Sequence, residues 1–403
     1  MQIESCIHPD FATYVLKYVE PQIVSEGKGI AVQNVSAQEI EACKFPMPPL
    51  GEQTRIVEKL EELLSGLDAG VAELKAAQKK LVQYRQSLLK ATVEGTLTAD
   101  WRITNQPKET GAQLLERILK ERRSRWEAKQ LAKFQEQGKT PPKGWQDKYP
   151  EPVKPDTSDL PELPEGWIWA SVDCLLSDIE TGKSFKCDER PPGLTEIGVV
   201  KVSAVSWGEY NEEKSKTCTD PERHNRALYI REGDFLFSRA NTIELVGACV
   251  IAKSVSLQVM LSDKILRFVF ALDDMKSWLL YFLRCELGRS QIELLASGNQ
   301  ESMRNIGQER IRQISLPLPP ASEMKNILEL LEQQFEAATQ QDDSITISLK
   351  QSAAQRKNIL KAAFSGQLVP QDPYDEPACV LLEHIRAGRA AIPNAVKTRI
   401  RRN

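Results

Sequence analysis

The sequence predicts an α+β protein, with one mixed α/β domain inserted between two long helices that form an antiparallel coiled coil. Three observations carry this. One segment occurs twice, each copy has the apolar periodicity of a long helix, and the stretch between the copies changes to short β-type runs.

The repeat comes first in the argument. FPMPPLGEQTRIVEKLEELL from Phe45 matches LPLPPASEMKNILELLEQQF from Leu316, and the offset of 271 residues holds without a gap from residue 45 to residue 97. Pro46, Pro48, Pro49, Glu52, Ile56, Glu58, Leu60 and Glu61 recur as Pro317, Pro319, Pro320, Glu323, Ile327, Glu329, Leu331 and Glu332. RQSLLKATVEGTL at Arg85 returns as RKNILKAAFSGQL at Arg356. The likeness continues outward on both sides. Leu114-Leu115-Glu116 pairs with Leu381-Leu382-Glu383 after a slip, and Gly27, Asn34 and Ile40 pair with Gly298, Asn305 and Ile311. Residues 1–45 therefore read as the tail of a domain whose complete version precedes the second copy.

Each copy opens on alternating proline and apolar residues. Proline lacks an amide donor and restricts its predecessor, so this lead-in is extended or an edge strand. A helix follows. In the first copy Ile56, Leu60, Leu63, Leu67, Leu74, Leu81 and Leu88 form a heptad seam, with Gly70, Ala77 and Tyr84 expected at the remaining positions. The second seam is weaker: Leu328, Leu331, Phe335, Ala338, Ile345, Leu349 and Ile359, interrupted by Asp342 and Ser352. Its natural partner is the first helix. Gly95 and Gly366 fit the helix stops.

Residues 117–159 read as a charged, proline-rich linker, helical at first and then extended and exposed. The basic run Lys120–Arg125 has two readings, a phosphate contact or a solvated helix face. From about residue 160 to 316 the pattern is that of a mixed domain. Ile197–Val202, Phe235–Phe237, Gly247–Ile251 and Leu266–Phe270 read as strands, and Ser277–Cys285 and Ser290–Ala296 as helices. Residues 389–403 form a basic tail.

Composition bounds the chemistry. The 403 residues carry a net charge of -3, against a free-standing nonspecific nucleic-acid binder but not against a reader with one basic face. No apolar run has the length of a membrane span and the N-terminus lacks a signal-peptide layout, so a cytoplasmic location is expected. The 8 cysteines are scattered with no C-x-x-C pair, and there are only 3 histidines, so no metal site is expected. No phosphate-cradling glycine loop, amino-methyltransferase tetrapeptide or nucleophile elbow is present, and no catalytic residue is assigned. Asp10, Glu26 and Lys28 match the spacing of a metal-dependent nuclease, but so short a match arises by chance and lacks room for the strands of such a core.

The informative motif is Gly233-Asp234-Phe235-Leu236-Phe237-Ser238-Arg239-Ala240-Asn241. A turn enters a short apolar strand whose exit presents Ser238, Arg239 and Asn241. Arginine and asparagine can contact guanine and adenine edges bidentately, and serine suits phosphate. The competing reading is a hairpin whose arginine pairs with an acid and whose asparagine caps a turn. Lys183, Lys186 and Arg304 are further candidates for DNA contact.

Taken in this order and duplication, the Pro-Leu-Pro-Pro lead-in, the long helix ending in L-K-A-x-x-x-G-x-L, and G-D-F-L-F-S-R-x-N resemble the specificity subunit of type I restriction–modification enzymes, HsdS. The resemblance covers residues 11–385 and implies a noncatalytic DNA-reading subunit with target-recognition domains separated by two antiparallel helices. It implies boundaries as follows: a remnant of a first recognition domain at 1–45, a first conserved region at 46–116, a complete recognition domain at 160–316 and a second conserved region at 317–388. Its implied partners are double-stranded DNA, methyltransferase (modification) subunits and the endonuclease/translocase (restriction) subunit. A homodimer supplying a second recognition domain is a further possibility. S-adenosylmethionine, ATP and Mg²⁺ are expected in those partner subunits and none of them on this chain. The alternatives are an interaction scaffold that does not read DNA and a nonfunctional remnant of a disrupted subunit.

Overall fold

The computed structural model describes residues 7–26, 43–298 and 303–391. Its helices include two of equal length, Leu50–Val93 and Ala321–Phe364, each 44 residues. The shorter ones include Pro9–Glu26, Gly111–Glu136, Met275–Arg284, Glu286–Leu295 and Ala378–Ala391. Strands are β1 (Ile168–Ser171), β2 (Leu176–Thr181), β3 (Ile197–Val200), β4 (Ser215–Thr217), β5 (Phe235–Ser238), β6 (Ala240–Asn241), β7 (Cys249–Ile251), β8 (Gln258–Met260), β9 (Ile265–Phe270), β10 (Arg304–Asn305) and β11 (Ser315–Leu318). The chain forms two compact units, one of residues 1–81 with 339–403 and one of residues 82–338.

In the first unit the start of the first long helix packs on the end of the second. Ile56, Leu60 and Leu64 share a core with Ala363 and Phe364, and Phe11 and Val15 of Pro9–Glu26 close it. The helices run antiparallel there. Asp68 pairs with Arg356, and Gln78 Nε2 donates to Asp342 Oδ1 at 3.1 Å. The second unit repeats this arrangement with the roles exchanged. Ile327 and Leu331 pack with Leu88, Leu89 and Val93, the repeat counterparts of residues in the first core.

Burial follows a 3.5-residue period along both helices. The sheltered positions step through Leu67, Val71, Leu74, Gln78, Leu81, Arg85 and Leu88 on the first, and through Leu331, Phe335, Ala338, Asp342, Ile345, Leu349, Ser352, Arg356 and Ile359 on the second. This corrects the expected intermediate positions. Gly70 and Tyr84 are exposed, and Val71 and Arg85 occupy the sheltered steps in their place, while Ala77 is sheltered together with Gln78. Asp342 does not interrupt the seam; it lies in it and is matched by Gln78.

In the second unit an antiparallel sheet in the order β2-β9-β5-β7 forms the centre. Its middle strands β9 and β5 are nearly apolar on both faces because both faces are covered, whereas the edge strand β2 carries Ser177, Asp178 and Glu180 only partly buried. Phe235 and Phe237 of β5 face the larger core, where Phe268 stacks on both at 5.3 and 5.1 Å and Trp278, Leu279 and Phe282 lie over them. Leu236, between them, enters a second core with Val250, Val259, Leu261 and Ile265. A smaller sheet, β4-β3-β8, joins that side. β1 pairs antiparallel with β11, so the proline lead-in to the second long helix is a genuine strand with Ile168 opposite Leu318 and Ala170 opposite Leu316.

The segment expected as a linker from residue 117 begins inside a packed helix. A capping box at Thr110 and Gln113 starts Gly111–Glu136, and Leu114, Ile118 and Arg122 bury one face of it in the second unit. Arg122 donates to the Leu176 carbonyl at 2.9 Å and to Asp173 Oδ1 at 3.3 Å, and Arg125 Nη1 donates to the Phe270 carbonyl at 3.1 Å. The basic run is therefore neither a bare phosphate contact nor a solvated face throughout, since half of it is packing.

Candidate nucleic-acid interface

Four chain segments meet at one edge of the second unit, and β-sheet register brings them together. β2 ends at Thr181, and the amide of the next residue, Gly182, donates to the Ser262 carbonyl at 3.2 Å. A Cβ at Gly182 would lie 1.9 Å from the Leu261 carbonyl oxygen, so only glycine allows the approach. Ser184 then hydrogen-bonds to Asp263 across the same two loops. The Arg239 amide, at the exit of β5, donates to the Lys264 carbonyl at 2.9 Å. β6 pairs with β10 so that Asn241 stands opposite Arg304 and Ala240 opposite Asn305.

Arg239 and Asn241 are two residues apart on an extended segment and so share a face. Arg239 Nε donates to Asn305 Oδ1 at 3.2 Å, which aims the guanidinium. Arg304 Nη1 donates to the Gly298 carbonyl at 2.9 Å. Lys183, Lys186 and Lys264 are exposed. Among the described residues none of these five cations forms an ion pair. Other basic side chains of the same unit do, including Arg267 with Glu180 and Asp234, Arg289 with Glu293 and Arg312 with Asp173. A cluster of positive groups without counter-ions, with oriented amide side chains among them, suits an anionic polymer carrying hydrogen-bonding edges.

The sequence-predicted residues separate here. Arg239, Asn241 and Arg304 are brought together, and Lys183 and Lys186 lie on the neighbouring loop. Ser238 is a correction. It is 0% exposed, and its hydroxyl is buried without a hydrogen-bond partner among the described residues. As the last residue of β5 it shares the Leu236 face, which the second core covers, so it cannot reach a phosphate. The hairpin reading holds in one part only. Asn241 Oδ1 accepts the Thr242 amide at 2.9 Å, a local cap, while Arg239 takes an asparagine and no acid. Asp234 turns out to be structural. Its carboxylate accepts the Arg231 amide and stands 3.0 Å from the buried Arg267 guanidinium.

Lys264 and Asn305 were not singled out by sequence, although the repeat of Asn34 as Asn305 marked the second. The nuclease arrangement fails on geometry. Asp10 and Glu26 lie near opposite ends of one helix, about 24 Å apart at the helical rise, too far to share a metal. Lys28 falls outside the described residues. Among the described residues no group of three potential metal ligands exists, and no helix is long and apolar enough to cross a membrane.

Comparison with known proteins gives a consistent set. The family model for the type I restriction modification DNA specificity domain matches residues 2–76. The specificity subunit of the type I restriction enzyme EcoEI of Escherichia coli is 26% identical over 379 residues, covering 81% of this chain and 60% of that protein. The EcoKI specificity subunit of Escherichia coli K12 is 24% identical over 382 residues, covering 92% of this chain and 69% of that protein. A solved chain from work on assembly and conformational transition of a type I R-M system shares the fold, with a TM-score of 0.57 at 18% identity over 90% of this chain and 72% of that one. The chain thus spans 60% of the length of the EcoEI subunit.

Proposed function

We propose, on the premise that the chain belongs to the HsdS family of type I specificity subunits, that it is a noncatalytic DNA-reading subunit whose domain at about 160–316 reads one half-site. The observation that carries this is the edge where Arg239, Arg304 and Lys264 converge with Asn241 and Asn305, the three cations forming no ion pair among the described residues. Arg239 is the base-reading candidate. Asn305 holds its Nε, leaving the two terminal nitrogens for the O6 and N7 acceptors of a guanine. Lys183, Lys186 and Lys264 serve phosphates, which position the duplex without reading it.

The two long helices form an antiparallel coiled coil in this reading, with the recognition domain inserted between them, and act as spacer and docking surface for methyltransferase subunits. The restriction subunit joins that assembly. S-adenosylmethionine, ATP and Mg²⁺ belong to those partners. A second recognition domain comes from another chain, a homodimer being the simplest source. The site acts in the cytoplasm, where such an assembly meets DNA.

The test is reconstitution with a methyltransferase subunit, followed by selection of bound DNA from a random pool. A selected half-site that Arg239→Ala loses, with the complex still formed, supports the reading. A complex that forms but selects no sequence overturns it.

A further inference from the structure

The loop that carries Lys183 and Lys186 is tied to the smaller sheet by a single rung. The Asp188 amide donates to the Thr217 carbonyl and the Thr217 amide to the Asp188 carbonyl, at 3.0 Å each. These two residues form an antiparallel hydrogen-bonded pair on the side of β4 turned away from β3. The adjoining position in such a ladder is a pair without hydrogen bonds. It sets the residue before Asp188 against the residue after Thr217, and those are Cys187 and Cys218. The Cys218 amide conforms to this by turning the other way, to the Ile197 carbonyl at 2.8 Å. At a pair of this kind the Cα atoms stand about 4.5 Å apart and both side chains leave one face. That lies within the range of about 4.4–6.8 Å that a disulfide spans.

Two further observations bring the thiols together. Both belong to one small apolar cluster with Val199, Met260 and Phe185. Burial, and after it the neighbouring Cys218, raises the Cys187 thiol above its ordinary pKa. The two differ in access: Cys218 is 4% exposed and Cys187 only half-buried. Cys174, Cys249 and Cys285 instead lie inside the larger core. Among the described residues no third potential ligand joins the pair to make a metal site.

We propose that Cys187 and Cys218 are a dithiol–disulfide pair, oxidised by a low-molecular-weight disulfide, and that closing the bond fastens the Lys183–Lys186 loop to β4. Cys187, the accessible member, attacks one sulfur of the oxidant as its thiolate. The oxidant's S–S bond breaks, and one small thiol leaves with the proton that Cys187 gave up. Cys218 then attacks Cys187 Sγ, and the second small thiol leaves with the proton of Cys218. Two protein thiols are oxidised to one disulfide and one small disulfide is reduced to two thiols. In the dithiol form the loop's end is held by the Asp188 rung and by Glu189, whose exposed carboxylate pairs with Lys201 and Lys216. Exposed ion pairs hold a segment weakly, whereas the covalent bond prevents the rung from opening. Neither the bond nor its test depends on DNA.

The experiment incubates the full chain with excess oxidised glutathione, quenches it with acid and alkylates the remaining thiols with N-ethylmaleimide after unfolding. Peptide mass mapping is expected to find Cys187 linked to Cys218, with Cys174, Cys249 and Cys285 alkylated, and excess dithiothreitol to return both thiols. Tryptic cleavage after Lys183 and Lys186 is expected to slow by about fivefold or more in the linked chain, since it requires local opening. Cys187→Ser, at a half-buried position, is expected to fold and to show neither the link nor the slowing. Cys218→Ala is expected to accumulate a glutathione adduct on Cys187, which wild type resolves. Recovery of Cys187 and Cys218 both alkylated in wild type overturns the proposal. So does a lasting adduct on wild-type Cys187, a link between two chains, or a linked chain that trypsin cuts at the unlinked rate.

Discussion

Replacing Glu323 by methionine separates the two copies of the repeat most sharply. The side chains are similar in length, so packing around the site is nearly kept. What is lost is the acceptor of the Trp167 indole N–H, the Thr98 hydroxyl and the Arg102 guanidinium. Thr98 is left 1% exposed and the Trp167 residue 8% exposed with their donors unsatisfied, and Arg102 loses its counter-ion. A buried donor left unpaired costs about 1–3 kcal/mol, and breaking a buried ion pair costs about 3–5 kcal/mol. Because one carboxylate serves all three groups, these overlap, and about 4 kcal/mol is expected for the set. For a unit of this size that is a fall in Tm of roughly 8–16 °C. Glu52→Met removes an acid with no such donors, so no loss is expected there. The assay is thermal unfolding followed by tryptophan fluorescence. All 7 tryptophans lie between Trp101 and Trp278, within the unit of residues 82–338, so the signal reports that unit alone. A Glu323→Met chain melting within about 2 °C of wild type refutes the reasoning. So does an equal loss in Glu52→Met followed by far-UV circular dichroism.

Four further outcomes follow from the same structure. Glu52 has its pKa raised by burial, so it favours its protonated form when folded. The stability it contributes is full below the ordinary glutamate range and is lost as pH rises through its folded pKa. Glu52→Met should flatten that part of the stability–pH curve, measured by urea unfolding. Arg122→Met strips a guanidinium that serves the Leu176 and Pro150 carbonyls and Asp173 at once, and should cost about 3 kcal/mol by the same measurement. Replacing Gln78 and Asp342 together by leucine puts apolar groups at two facing seam positions and should raise stability, whereas Asp342→Leu alone strands the Gln78 amide and should gain less. Lys264→Ala should weaken DNA binding evenly across sequences and reduce its salt slope by about 1, while Arg239→Ala should relax preference at one base position at a cost of about 1–3 kcal/mol.

The long elements were legible because they are written in periods. Leucines at seven-residue spacing marked the first helix, and its copy marked the second. The intermediate seam positions were not legible, since from Leu67 a step of three gives Gly70 and a step of four gives Val71. The structure shelters Val71, Gln78 and Arg85, and polarity hid the last two. Leu114, Ile118 and Arg122 stand at helical spacing of four, yet the surrounding charges masked the buried face they make. At the candidate site, the apolar run Phe235–Phe237 pointed to a strand but did not say that both its faces are covered. That is why Ser238 read as presented and is in fact enclosed. Lys264 and Asn305 join Arg239 only through pairings between strands far apart in sequence, and no local pattern records those.

Glu52 and Glu323 also show what a helix-start rule leaves unexplained. Each is the third residue of its helix, where a carboxylate is favoured by the helix dipole and by capping. That benefit is a fraction of a kcal/mol and needs no burial; an exposed acid obtains it as well. Full burial costs several times more unless donors meet the charge. The rule therefore accounts for an acid at this turn but not for one enclosed there. In the second unit the enclosure is accounted for by Trp167, Thr98 and Arg102. In the first unit the counterparts of Thr98 and Arg102 at the same offset are Val369 and Pro373, which have no side-chain donor to give. In the first unit the charge that offsets the burial of Glu52 is that of Arg55, three residues on along the same helix, itself shared with Asp375, so one guanidinium stands where the second unit has three donors.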